Sequence, residues 1–119
     1  MNTYVLLLNY EPAAETPEPS PEEMQAIVEK YVAWGERMAD QGRWEGGKKL
    51  GEEGGRVVRR DGEKVTATDG PFAEAKEVVG GFSLLKAESY DEVVELLQDH
   101  PHLEGGGTIL VREVDPIEE

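Results

Sequence analysis

An α+β fold, with two helices on one face of an antiparallel sheet, is predicted by three observations. The first is a long helical period opened by Ser20-Pro21-Glu22-Glu23. The second is an Asp61-Gly62 hairpin signal between two β-rich runs. The third is a second strand-helix-strand unit in the last forty or so residues.

Taken in order, Thr3 to Asn9 (TYVLLLN) is a β-rich run with apolar residues on both alternating faces, the pattern of a central strand covered on both sides. Residues 11–19 carry three prolines and three glutamates without a hydrophobic period and are expected to form an extended linker. Ser20 then supplies a helix cap, Pro21 the first helical position, and Glu23 the return half of a capping box. Met24, Ile27, Val28, Tyr31, Trp34 and Met38 recur at three- and four-residue spacing, which makes one apolar stripe for core packing until Gly42 ends the helix.

Arg43 to Leu50 reads as a short strand anchored by Trp44, and Gly51 to Gly55 as a turn. Arg56 to Arg60 and Glu63 to Thr68 flank Asp61-Gly62, the dipeptide of type I′ hairpins; that register sets Val58 against Val65, Arg60 against Glu63, and Arg59 against the like-charged Lys64. Phe82 to Ala87 is the next strand. Ser89 to Glu92 repeats the capping-box pattern, Tyr90, Val93, Val94 and Leu97 form the apolar face of a second helix closed by Pro101, and Thr108 to Val114 is the last strand.

Right-handed crossovers place both helices on the same face of one sheet, the ferredoxin-like arrangement. The opposite face is then bare. Its apolar positions call for a second sheet, and a second copy of the chain is the simplest supplier, so a homodimer is expected. The 119 residues make a single domain over 1–116 with an acidic tail at 117–119. With 26 acidic against 12 basic residues the formal charge is −14, which opposes nucleic acid and anionic membranes as partners. The absence of cysteine excludes disulfides and thiol chemistry. The apolar run at Val5 to Leu8 is too short for a signal peptide or a membrane span, and a soluble cytoplasmic protein is expected.

Chemistry concentrates in Asp69-Gly70-Pro71-Phe72-Ala73-Glu74-Ala75-Lys76-Glu77. Asp69 either acts as a general acid or base or, as aspartate does in turns, holds the backbone that Gly70 and Pro71 continue. Phe72 is suited to wall a pocket, and in an extended segment Glu74 and Lys76 point to one side while Glu77 points away. His100 and His102, two imidazoles one residue apart without a third ligand at a diagnostic spacing, make a poor metal site; His100 is instead expected at the C-terminus of the second helix. No glycine run fits a nucleotide motif, and neither cofactor nor metal is expected.

The string DGPFAEAKEVVGGF, Asp69 to Phe82, placed after a hairpin and before a strand-helix-strand unit, resembles the DGPF-type proteins of the YCII-related family. So do the N-terminal YVLLLNY, the helix opened by SPEEM, and Gly46-Gly47 with Leu50. The resemblance implies a dimeric α+β barrel. It also implies a cleft in which a histidine and an aspartate meet in related proteins; Asp69 matches the acidic residue, but the first helix contains no histidine.

The function expected is the binding, with or without transformation, of a small molecule in a pocket built around Asp69, Gly70, Pro71, Phe72, Glu74 and Lys76. The alternative is a non-enzymatic interaction protein accessory to an extracytoplasmic-function sigma factor, as some DGPF relatives occur beside or fused to one. A cofactor-independent oxygenase rests on fold analogy alone.

Overall fold

The computed structural model describes residues 1–11, 19–51, 54–70 and 77–116. The elements run β1 (Asn2–Tyr10), α1 (Pro21–Asp40), β2 (Trp44–Lys49), β3 (Arg56–Asp61), β4 (Lys64–Asp69), β5 (Val78–Ala87), α2 (Tyr90–Leu96), α3 (Pro101–Glu104) and β6 (Thr108–Glu113). Four strands form an antiparallel sheet in the order β2-β5-β1-β6, and β3 pairs with β4 alone. With the hairpin set aside, this is the ferredoxin-like topology that the strand-helix-strand repeat requires.

Helix α1 begins as its sequence dictates. The Ser20 hydroxyl accepts from the Glu23 amide at 3.1 Å, and the Glu23 carboxylate accepts from the Ser20 amide at 3.4 Å. Only the second half of its apolar stripe enters the core: Trp34 and Met38 are buried, whereas Met24, Ile27 and Val28 remain exposed on the chain. The core lies between the helices and one sheet face, where Tyr4 and Leu6 of β1 meet Leu85 and Ala87 of β5, Trp34 and Met38 of α1, and Val93 and Leu97 from the α2 segment. Leu8, Ile109 and Val111 complete it.

The second capping box is shifted by one residue. Ser89 accepts from the Glu92 amide at 3.2 Å, but the Glu92 carboxylate turns to the Glu88 amide at 3.0 Å and to Arg43 at 2.6 Å. Those hydrogen bonds hold its carboxyl below the usual carboxylate range, the Glu88 amide contributing most. Pro101 does not simply close α2; it occupies the first turn of a further one-turn helix, α3, where its missing N–H costs nothing.

The hairpin register also differs from expectation. Asp61 pairs with Lys64, Arg60 with Val65, Arg59 with Thr66 and Val58 with Ala67, so the two-residue loop is Gly62-Glu63. Gly62 has φ +66°, and among the described residues no other residue type has positive φ. A type I′ turn at Asp61-Gly62 would force Asp61 into the left-handed region. A turn with Gly62 first, as in type II′, does not, and it replaces the Arg59–Lys64 clash with an Asp61–Lys64 attraction.

The second face of the sheet is open. Across it the register aligns Leu7 with Phe82 and Leu110, and Val5 with Leu84 and Arg112. Phe82 and Leu110 are exposed, and Val5, Leu7 and Leu84 are only partly buried. An apolar strip therefore faces solvent on the single chain.

Candidate functional site

Antiparallel pairing brings four chain segments to one end of the sheet. There β1 finishes at Asn9 and Tyr10, β6 begins opposite Asn9 at Thr108, β5 begins opposite Tyr10 at Val78, and β2 finishes at Lys49 opposite Gly81. The β3–β4 hairpin, which carries Asp69, is therefore inserted at this same end, between β2 and β5.

A bulge shapes the floor. Leu8 pairs with Gly81 and Asn9 with Val79, which leaves Gly80 as the extra residue. The Gly80 carbonyl accepts from the Leu50 amide at 2.9 Å, tying the exit of β2 to this corner. A Cβ at Gly80 would lie 2.8 Å from the Tyr10 ring, so only glycine lets the tyrosine close over the bulge.

Polar groups gather on this floor. Asn9 and Thr108 share the open face, and the Thr108 hydroxyl donates to Glu77 Oε1 at 3.2 Å. Glu77 is thus engaged with β6. The Asn9 Oδ1 atom is shielded from solvent and accepts no hydrogen bond among the described residues.

Behind the floor stands an imidazole. His102 Nε2 lies 2.7 Å from the Asn9 carbonyl oxygen; a carbonyl only accepts, so Nε2 carries the proton, and Nδ1 accepts from the Tyr31 hydroxyl at 3.2 Å. Burial raises the Tyr31 pKa, which keeps it a neutral donor. His102 thus links α1, through Tyr31, to the end of β1 at Asn9. Gly107 makes this placement possible, because a Cβ there would overlap the His102 ring. Gly107→Ala is expected to expel the ring and break both hydrogen bonds, with a loss of about 2 kcal/mol in stability by urea denaturation. A loss of a few tenths of a kcal/mol would contradict this placement.

His100 has a different task. Its Nδ1 accepts from the His102 amide at 3.0 Å and so caps α3, and its ring lies 4.5 Å from that of Trp34. It therefore caps the next helix with its side chain instead of serving the end of α2. The two histidine rings stand 6.5 Å apart, and the Nδ1 of each already has a partner.

The Asp69-to-Lys76 stretch is placed only in part. Asp69 ends β4 opposite Arg56, with its carboxylate 92% exposed and Oδ1 3.6 Å from Arg56 Nε. Gly70 donates its amide to the Gly55 carbonyl at 2.9 Å, and a Cβ at Gly70 would overlap the Gly54 carbonyl oxygen. Gly70 thus closes the hairpin base by a backbone approach that only glycine allows. Pro71, Phe72, Glu74 and Lys76 lie outside the described residues, as do most of the proline-rich linker and the acidic tail.

A second concavity, about 270 Å³, lies between α1 and the α2–α3 corner, lined by Lys30, Ala33, Arg37, Asp99, Pro101 and Glu104. Its charges are already matched, Lys30 with Glu104 at 3.5 Å and Arg37 with Asp99 at 2.7 Å. That pairing reads as a bridged helix contact. Among the described residues no helix is long and apolar enough to cross a membrane.

Sheet order, helix placement and the inserted hairpin define an α+β domain with a ferredoxin-like sheet. The sequence model of the YCII-related domain matches residues 2–118, and the chain belongs to that family. Among solved structures the chain is similar to 5-chloro-2-hydroxyhydroquinone dehydrochlorinase (TftG) from Burkholderia phenoliruptrix AC1100, solved in complex with 2,5-dihydroxybenzoquinone. Identity is 18% over 95% of this chain and 93% of that chain, with a TM-score of 0.46. Comparison with curated proteins returns no match.

Proposed function

We propose that this YCII-related chain is a homodimer that binds a small, polar, partly aromatic molecule at the sheet end where Asn9, Glu77 and Thr108 meet the Asp69 loop. The observation that carries this reading is an open apolar sheet face that runs into a polar corner containing an unpaired, solvent-shielded acceptor. Leu7, Phe82 and Leu110 suit one face of a ring, and Asn9 Oδ1 calls for a hydroxyl or N–H donor from whatever lies on them.

Gly70, Pro71 and Phe72 form the wall of this pocket, Glu74 and Lys76 orient polar substituents, and Asp69 takes up or gives the proton where the bound molecule reacts. The dimer covers the sheet faces, which a single chain leaves in water. No cofactor is required for binding of this kind.

Catechol, an uncharged ring with two donors, is a suitable probe. Titration followed by amide shifts is expected to perturb Asn9, Val79 and Thr108 first, and Asp69→Ala is expected to weaken binding at least fivefold while the chain stays folded and dimeric. Unchanged affinity in that variant would remove Asp69 from the site. Failure of the parent to bind catechol, or shifts confined to the helical face, would overturn the reading.

A further inference from the structure

We propose that the molecule bound at this site is a ring acid, an aromatic carboxylate whose anion is held by Lys48 and whose far edge carries a hydroxyl or amino donor. This inference rests on the pocket proposed above and names the class of molecule it takes.

The open sheet face carries a charge opposite to that of the chain. Register sets Lys48 beside Phe82, Lys86 beside Thr3 and Arg112 beside Val5, all on that face. Among its paired positions none is acidic, although the formal charge of the chain is −14. Lys86 is matched, with its Nζ 2.8 Å from Glu45 Oε1. Lys48 and Arg112 are exposed, and among the described residues their side chains form neither an ion pair nor a hydrogen bond.

Lys48 is the unmatched cation next to the pocket. It stands in one row with Phe82, Leu7 and Leu110, and the following row holds Asn9 and Thr108. Strand spacing and rise put its Cα about 12 Å from that of Asn9 across the face. Arg112 lies one row the other way, on the opposite edge strand.

The far end has the reverse character. Asn9 Oδ1 lacks a donor, and Glu77 accepts from the Thr108 hydroxyl at 3.2 Å. Both are acceptors, and Glu77 repels an anion. A ring lying on Phe82 and Leu7 is therefore oriented, its negative group drawn to Lys48 and its donor to Asn9 and Glu77. The long, flexible stem of Lys48 closes the distance that one ring leaves.

Dimerisation makes the anion necessary. An isologous interface sets this face against its own copy, so the partner's paired positions also bring cations. Covering Lys48 without a counter-charge is costly, and a bound carboxylate offsets that cost.

Titration calorimetry of the full chain at pH 7 tests this with 4-hydroxybenzoate, its uncharged amide 4-hydroxybenzamide, and benzoate. The hydroxy acid is expected to bind at least tenfold more tightly than the amide, and at least fivefold more tightly than benzoate, which lacks the donor. Lys48→Gln is expected to erase the preference over the amide while leaving the amide within twofold of its parent affinity. Lys49→Gln removes the same charge from the adjacent position, which alternates to the other face, and is expected to keep the preference. A hydroxy acid bound no more tightly than the amide or benzoate overturns the assignment, as does a preference that survives Lys48→Gln or is lost equally in Lys49→Gln. In each of those cases binding of catechol leaves the pocket itself in place. If neither the hydroxy acid nor catechol binds, both readings fall.

Discussion

Trp34→Ala is expected to cost about 3–5 kcal/mol, the range for deleting a fully buried aromatic from a core that cannot collapse around the gap. Trp34 is 2% exposed and joins three parts of the fold. Its indole N–H donates to the Leu96 carbonyl at the end of α2 at 3.2 Å, its ring meets His100 at 4.5 Å, and Trp44 of β2 approaches it edge-on at 6.4 Å. Truncation removes the packing layer between α1 and the α2–α3 corner and leaves the Leu96 carbonyl without its donor. Against a typical total of about 5–15 kcal/mol, a loss of this size leaves the domain barely folded. Urea denaturation measures it, and a loss below about 1 kcal/mol would contradict the assignment of Trp34 as the central packing residue. Trp34→Phe retains most of the packing but not the donor and is expected to lose about 1–2 kcal/mol.

Acid is expected to destabilise the protein through His100, and His100→Asn to remove that sensitivity. Burial pushes the His100 pKa down from 6.5 to about 4, with the nearby His102 adding to the effect and Asp99 opposing it. The unfolded chain therefore binds a proton between about pH 6.5 and 4 that the folded chain refuses. The stabilisation is fully present above pH 6.5 and is lost as the pH falls towards 4, by up to about 3 kcal/mol.

The groups facing His100 are Tyr31, Trp34, His102 and Asp99. Asp99 and Glu92, whose pKa values are lowered by Arg37 and by Glu88 with Arg43, respectively, also withdraw stability in acid, but at lower pH. Comparing parent and variant isolates the imidazole. In His100→Asn the amide oxygen takes the place of Nδ1 as acceptor for the His102 amide, so the helix cap survives while the titrating group is gone. Urea midpoints at pH 7 and 4.5 are expected to converge for the variant and to differ widely for the parent. Equal pH dependence in the two proteins would exclude His100 as the cause.

The sequence was a good guide where one residue's chemistry decides its local structure. Ser20 and Glu23 announce the start of α1, and the two-sided apolar run of β1 announces a central strand with one face left for another layer. It was a poorer guide where several local solutions compete. Asp61-Gly62 fits a type I′ turn as readily as Gly62-Glu63 fits one with glycine leading, and cross-strand charge pairing decides between them. Pro101 ends one helix or starts another with equal local cost, and His100 as a cap tips the balance.

Legibility at the site followed the same division. Asp69 and Gly70 stand out as turn chemistry, and the structure assigns Gly70 a backbone contact no other residue permits. The Tyr31–His102–Asn9 connection was not legible, because its members are spread across α1, α3 and β1 and meet only through tertiary packing. Its one local trace is Gly107, which in the sequence is lost among three consecutive glycines.

The sedimentation-equilibrium mass of the full chain, compared with that of a Leu110→Glu variant, tests most directly the claim that the open sheet face is covered by a second copy. Leu110 is 49% exposed on that face, on the edge strand β6 beside Leu7, so the substitution leaves the single chain's core intact. The account predicts twice 13.1 kDa for the parent and 13.1 kDa for the variant at micromolar concentration. A parent mass of 13.1 kDa, or a dimer that survives the charge at Leu110, would contradict it.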